Sequence, residues 1–399
     1  MFKKIALVAC LSISSSLAIT LDEMVDTVLL HNQDLKSLEY SIKVATTQVE
    51  LSTNWKNPTL TLGANDIQFD DITKRDLEPM QAQYIGYSQV IPMGKKLDIQ
   101  KKISLKDKKI ALYTLEDKKL QLKSLVYEYG YSIVILEKKY ELLNKYLKNI
   151  KSLEELSSSL YANGKMKQTD IINLKISYSK IVLQQKNLKN LISNLYLKLE
   201  ELTSTNIEHI EVTLKIDNLQ FDTQLNQHPK LLILEEKTLQ YNDIADLELE
   251  KRVSDIKLNV TYFNRNSKYE DYANISVNIP LSIHGTEKTK SLKAQQKANE
   301  IQSRLLNLNN NYKSSIMKLQ NNLDNALFSY RLIKETILPL KQKVQLNIES
   351  YNKFSLISSQ QTIKNLNGLI SYELMLLDEL KNYFTAYSKA LYFTQGKIQ

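Results

Sequence analysis

The sequence predicts a mostly helical α+β fold in which one unit, a strand pair followed by a long helix hairpin, occurs twice. Three observations point to it. Gly (8) and Pro (6) are scarce for 399 residues, so few positions interrupt a helix. Leu, Ile, Val and Tyr recur at three- and four-residue steps through long stretches, the spacing of one helix face. The order of helix opener, alternating segment and closing proline in the first half is restated in the second.

Residues 1–18 read as an export signal. Lys3 and Lys4 form the charged start, Ile5 to Leu17 the apolar stretch, and Ser16-Leu17-Ala18 the small residues of a cleavage site. The mature chain then begins near Ile19. Cys10, the only cysteine, lies inside this segment, so the mature chain has no thiol for a disulfide or a thiolate metal site. A second reading takes Leu7-Val8-Ala9-Cys10 as a lipoprotein cleavage box that leaves a lipidated Cys10, although Ile5 to Ala9 is a short core for it.

The first repeat is placed at 19–205. Asn32-Gln33-Asp34-Leu35 opens a helical stretch reaching about Asn54. Lys56-Asn57-Pro58-Thr59-Leu60-Thr61-Leu62 alternates as a strand, placed at about 57–66. The polar segment Asp66 to Gln81 leads to a second strand, about 82–92, closed by Pro92-Met93-Gly94-Lys95-Lys96. A helix hairpin then takes 97–202. Its outgoing arm, about Leu97 to Leu160, has no proline and carries Leu122, Leu125, Tyr129, Ile133, Leu136 and Tyr140 on one side. Roughly 60 residues make about 90 Å of helix. Tyr161-Ala162-Asn163-Gly164-Lys165 turns the chain, and the return arm runs from Thr169 to about Leu202.

Residues 206–226 connect the copies and are expected to be irregular. The second repeat, 227–399, opens at His228-Pro229-Lys230-Leu231, with strands at about 255–264 and 271–281 and a helix hairpin over 286–393. From Leu35/Leu231 to Leu60/Ile256 the copies align without a gap, and Pro92 and Pro280 fall at the same place once a shorter loop is allowed for.

Helices this long cannot bury their apolar stripes on one compact core; they need antiparallel neighbours from the return arms and other subunits. A plain coiled-coil rod meets that need, but the strands ask for more. Leu258, Val260 and Tyr262 alternate with Lys257, Asn259 and Thr261, and Ile275 and Val277 with Asn274 and Ser276. Such strands suit a wall with lipid on one side and water on the other, and equally a half-buried soluble sheet. Tyr84, Tyr87, Tyr262, Phe263 and Tyr272 are candidates for an interfacial aromatic girdle. Four strands cannot close a barrel, so a membrane wall requires several chains. No later segment has the ~18 uncharged apolar residues of a membrane-spanning helix; an exported chain without one is periplasmic, secreted or an outer membrane β-barrel.

With these features in place, essentially the whole mature chain resembles the TolC-type outer membrane efflux proteins. The resemblance rests on Ile19-Thr20-Leu21-Asp22-Glu23, the openers at Asn32 and His228, and Asn57-Pro58-Thr59-Leu60. It rests also on Ser88-Gln89-Val90-Ile91-Pro92-Met93-Gly94-Lys95 and the Tyr-x-x-Gly turn at Tyr161 to Gly164. It implies a homotrimer with a 12-stranded transmembrane β-barrel continued by a periplasmic α-helical barrel. It further implies a passive exit duct, joined by a periplasmic adaptor protein to an inner-membrane pump of the resistance-nodulation-division type. The wording is nearest the heavy-metal efflux branch, with metal cations or drugs as cargo.

The resemblance also implies site residues. Thr169, Asp170, Tyr351 and Gln360 fall at the periplasmic gate, where a Tyr351 hydroxyl bonded to the Asp170 carboxylate would latch neighbouring helices; Asp170 capping the returning helix is the other reading. Asn163, Gly164 and Lys165, with Lys353, Phe354 and Ser355, fall at the adaptor-docking hairpin tips. The chain departs from the family at Phe354, where a glycine is usual, at Leu356, where an arginine is usual, and at Gln360 and Ile363, where an acidic pair narrows the entrance. An Asp170 ring is then the one carboxylate ring left.

Other functions find little footing. The 53 basic and 44 acidic residues, net +9, are intermixed rather than gathered in a stripe for nucleic acid. His31, His209, His228 and His284 lack ligand spacing, and no phosphate loop, dinucleotide fingerprint or nucleophile elbow occurs. No cofactor and no enzymatic activity are expected. Two alternatives stand beside the efflux channel: a periplasmic coiled-coil adaptor or scaffold, and the outer membrane component of type I protein secretion.

Overall fold

The computed structural model describes residues 19–396 except 165, 208, 224, 226 and 353–358. Cys10, Lys165, Lys353, Phe354, Ser355 and Leu356 lie outside the described residues. In chain order the elements are β1 (Ile19–Thr20), α1 (Leu21–His31), α2 (Gln33–Leu51), β2 (Thr59–Asn65), β3 (Ala82–Ile91), α3 (Lys96–Ala162) and α4 (Gln168–Thr203). There follow β4 (Ile210–Glu211), α5 (Pro229–Glu250), β5 (Ile256–Asn264), β6 (Tyr272–Asn278) and α6 (Thr286–Leu332). A π-helical turn (Ile333–Ile337), α7 (Leu338–Asn352) and α8 (Ser359–Thr394) complete the chain.

The chain divides into two compact units that cut across the repeats. One comprises Met1–Lys36, Lys118–Asn226 and Asn311–Gln399; the other comprises Ser37–Asp117 and Gln227–Asn310. Each therefore draws on both sequence copies.

The first unit is helical. Thr20 caps α1 through a reciprocal box: its Oγ1 accepts from the Glu23 N–H at 3.3 Å, and its own N–H donates to Glu23 Oε2 at 2.9 Å. This sets α1 against α3 at Gly130, where any side chain would collide with Leu21. Leu21, Met24, Val25 and Val28 are buried there, and the Tyr127 hydroxyl donates to Asp22. Tyr131 of α3 stacks on Phe384 of α8 with centroids 4.1 Å apart. The connecting segment holds more order than its composition predicts. Its β4 pairs in parallel with β1, the Tyr383 hydroxyl donates to the Asp217 carbonyl at 2.8 Å, and Gln320 accepts from the Phe221 N–H at 3.0 Å.

The outgoing arm of the second hairpin is not one α-helix. At the π turn the Leu338 N–H bonds the Ile333 carbonyl, five residues back. Pro339 explains it: proline lacks an N–H and its ring collides with the carbonyl four residues earlier, and widening the preceding turn relieves the clash. Thr286–Asn352 still spans as many positions as α3, and both return arms have 36 residues.

The second unit carries the sheet, antiparallel throughout, in the order β2-β3-β5-β6. Asn32 of the first unit and His228 of the second, aligned openers of the two copies, do the same job. Asn32 Oδ1 accepts from the N–H groups of Asp34 (3.1 Å) and Leu35 (3.3 Å), and His228 Nδ1 accepts from Lys230 at 3.2 Å. Both are N-caps.

Candidate functional site

Two parts of the molecule carry functional expectations: the sheet and the hairpin ends. Register fixes which side chains of the sheet share a face, because directly paired residues point the same way. One face holds Leu60 and Leu62, paired with Tyr87 and Ile85, then Val260 and Tyr262, then Ile275 and Ala273. The other holds Thr59 and Thr61, Ser88 and Gly86, Asn259 and Thr261, then Ser276 and Asn274. The apolar face is uncovered: Leu60 is 63% exposed, Leu62 69% and Ile275 73%. The polar face is mostly exposed on β2 and β6 and half-covered on β3 and β5, and among the described residues no strand pairs with the outer edges of β2 and β6.

The five expected girdle aromatics divide between the faces. Tyr87 and Tyr262 stand on the apolar side, whereas Tyr84, Phe263 and Tyr272 stand on the polar side. Strand parity is the reason, and the sequence contained it: Tyr84 and Tyr87 are an odd number of residues apart, as are Tyr262 and Phe263.

The loops above the sheet are tied together. Buried Gln81 accepts from the Leu77 N–H at 2.9 Å and donates to the carbonyls of Asp66 and Lys74, each at 3.1 Å. Arg75 donates to the carbonyl and the side chain of Asn264 at 2.9 and 2.8 Å. Lys268 pairs with Asp76 at 3.2 Å.

At the first hairpin end, α3 closes at Ala162. The Gly164 N–H bonds the Tyr161 carbonyl at 2.9 Å, and Asn163 Nδ2 donates to the Ser159 carbonyl at 2.9 Å. Gly164 adopts φ +68°, a conformation open to glycine at no steric cost. Asn163, Gly164 and Thr169 are exposed and Asp170 is buried. The N-cap of α4 is Lys167, with no side-chain cap. Asp170 is thus not the cap; it occupies the third helical position, where a carboxylate favours the positive end of the helix dipole.

On the second hairpin, Tyr351 belongs to α7 and Gln360 to α8; their side chains lie outside the described residues, as do residues 353–358. Behind the ends the two hairpins share one core of Leu143, Tyr146, Ile150, Leu174, Ile181 and Leu366. Ile363 packs against it. Polar ties cross the same core. The Tyr146 hydroxyl donates to Glu373 Oε2 at 2.6 Å, Asn365 Nδ2 donates to Gln345 Oε1 at 2.6 Å, and Lys139 pairs with Asp378. Burial first, and the Glu373 carboxylate second, push the Tyr146 hydroxyl pKa up. None of these ties was anticipated from the sequence, since isolated polar residues on long helices look alike before the partner helix is known.

Among the described residues no group of His, Cys, Asp and Glu could hold a metal ion, and no helix is long and apolar enough to cross a membrane.

No protein-family model and no curated protein sequence matches the chain. Solved structures do match. The Campylobacter jejuni CmeC outer membrane channel aligns over 94% of this chain and 85% of its own, with a TM-score of 0.79 and 16% identity. The open state of the Neisseria gonorrhoeae MtrE outer membrane channel aligns over 94% and 88%, with a TM-score of 0.77 and 13% identity. The Vibrio cholerae outer membrane protein VceC aligns over 94% and 96%, with a TM-score of 0.77 and 12% identity. At such identities the likeness is one of fold, and it runs over nearly the whole chain: this protein has the TolC-type fold of these outer membrane channels.

Proposed function

We propose that the chain is the outer membrane channel subunit of a tripartite efflux system and works as a homotrimer. The observation that carries this reading is the four-stranded sheet with an uncovered apolar face, a hydrophilic opposite face and two outer edges that no described strand pairs. A soluble sheet buries its apolar face, whereas in a bilayer that face meets lipid and every edge must be paired. Three chains with four strands each close a 12-stranded barrel, and the long helices continue it as a periplasmic duct.

In this reading the duct is passive and sits in the outer membrane of a Gram-negative bacterium. An adaptor docks at Asn163, Gly164 and Lys165 and at Lys353, Phe354 and Ser355, and links it to an inner-membrane pump, which sets the cargo. Thr169, Asp170, Tyr351 and Gln360 line the periplasmic gate. A Tyr351 hydroxyl donating to Asp170 closes it with a charge-assisted bond of about 1.5–3 kcal/mol, weak enough for an adaptor to release.

Fractionation and planar-bilayer recording test this together. The protein should require detergent for extraction and, as purified trimers, give conductance steps that increase in Asp170→Ala and Tyr351→Phe. Recovery in soluble periplasm without detergent sinks the channel; unchanged conductance in both variants removes the latch alone.

A further inference from the structure

The hydrophilic face of the sheet is interrupted by a single row of rings. Gly63 pairs with Tyr84, Tyr84 with Phe263, and Phe263 with Tyr272. These four residues, one from each strand, form one continuous rung on a side lined mainly by threonine, serine and asparagine. Phe263 and Tyr272 stack with centroids 4.7 Å apart and planes 10° apart. Tyr84 follows at 5.4 Å, tilted by 40°. It leans over Gly63, where any side chain would collide with its ring.

The rung ends at a fixed cation. The Arg265 guanidinium lies 5.1 Å from the Tyr272 ring centre and 5.6 Å from that of Tyr269. Its Nε donates to the Glu270 carbonyl at 2.6 Å and its Nη1 to the Pro79 carbonyl at 3.3 Å, so it is held beside the rings. The row lies next to the loops, close to where β2 ends and β3 begins, and its rings are only partly covered.

We infer that this rung is a binding site for planar aromatic solutes. The inference rests on the channel reading for its location, the inner wall at the external mouth, with three such rungs in a trimer. Cross-strand stacking stabilises a sheet whichever side it is on, but rings on the water side also offer their partly exposed edges, against which an aromatic solute packs edge-to-face. The hydroxyl and amide wall below offers solutes hydrogen bonds, which water supplies equally well. Such edge contacts make no hydrogen-bonding demand on a solute's substituents, which suits an exit that takes mixed cargo. Arg265 places a positive charge beside the rings, and the Asp271 carboxylate, which accepts from the Arg265 N–H at 2.7 Å, offsets part of it.

The test compares benzenesulfonate with cyclohexanesulfonate, equal in charge and ring size and different in π surface. Titration calorimetry on the full chain in detergent should show the aromatic anion binding about tenfold more tightly. That ratio should fall to near one in Phe263→Leu/Tyr272→Leu, which keeps apolar bulk and removes the rings. If the double variant does not assemble, Tyr84→Leu carries the comparison, with a several-fold loss expected. Equal affinity for the two anions in the wild type, or a ratio unchanged by the leucine substitutions, overturns the site. Bilayer recording on the same wild-type sample keeps the two ideas apart. Conductance without aromatic-selective binding removes the site and leaves the channel; selective binding without conductance supports the site and removes the channel.

Discussion

The helices leading into the two strand pairs, α2 and α5, occupy aligned positions in the repeats, have capped N-termini of the same kind and both bury their first leucine, Leu35 and Leu231, yet one side differs sharply. In α5, Glu236 and Gln240 are 9% and 8% exposed. Glu236 bonds Lys106 at 2.9 Å and Lys109 at 3.1 Å, and Gln240 Nε2 donates to Asp107 Oδ1 at 2.6 Å. The aligned residues of α2 are Tyr40 and Val44, which are 65% and 70% exposed. Polar residues are buried in one copy and apolar residues bare in the other. On this side α5 finds specific polar partners in α3. α2 pairs Asp34 with Lys118 of α3 and half-buries Leu38, Ile42 and Val49, but leaves Tyr40 and Val44 bare on another side, as a helix that meets another subunit in the proposed trimer should.

Substitutions can break or sharpen this contrast. The largest effect is expected from Ile233→Ala in α5, a buried position whose truncation should cost about 2–4 kcal/mol in detergent-based unfolding titrations. A loss below about 1 kcal/mol would mean that α5 is no better packed than α2.

Next comes Glu236→Gln, with an expected cost of about 1–3 kcal/mol and a distinctive pH signature. Burial raises the Glu236 pKa, but the hydrogen bonds and charges of Lys106 and Lys109 outweigh it and hold the carboxyl below its ordinary range. A depressed carboxylate stabilises the fold above its unfolded pKa, and that contribution is lost as pH falls through the folded value. The wild type should therefore lose stability on acidification more steeply than the glutamine variant; parallel curves would remove the ion pair from the account.

The smallest effect on the chain itself is expected from Val44→Ser in α2, within about 0.5 kcal/mol for the isolated subunit. Its consequence should appear in assembly, as a lower trimer fraction by native mass spectrometry. A stable trimer with serine there would show that α2 faces solvent.

The repeat, the alternating strands and the long helices were legible because each rests on local periodicity: Leu258, Val260 and Tyr262 announce their strand without help from the rest of the chain. The aromatic rung was legible in principle, through the odd spacing of Tyr84 from Tyr87, but only register places Phe263 beside Tyr272. The π turn had a signal in Pro339, inside a segment that otherwise reads as unbroken helix. The partners of Glu236 and Tyr146 had none, since they come from helices far away in sequence. At the tips, the first turn announced itself through Gly164, while the role of Asp170 depends on Tyr351, whose side chain is not among the described residues.

The pairing of β3 with β5 has a consequence for the order of folding. Each strand of this central pair comes from a different repeat, and the whole first helix hairpin separates them in sequence. The sheet is therefore completed late, since contacts between distant residues are slow to form. A nascent chain can make its local helices while β2 and β3 remain an isolated strand pair, too small to be stable in water. The apolar wall comes together only after the second repeat has arrived, so the surface most prone to aggregation is displayed for the shortest time.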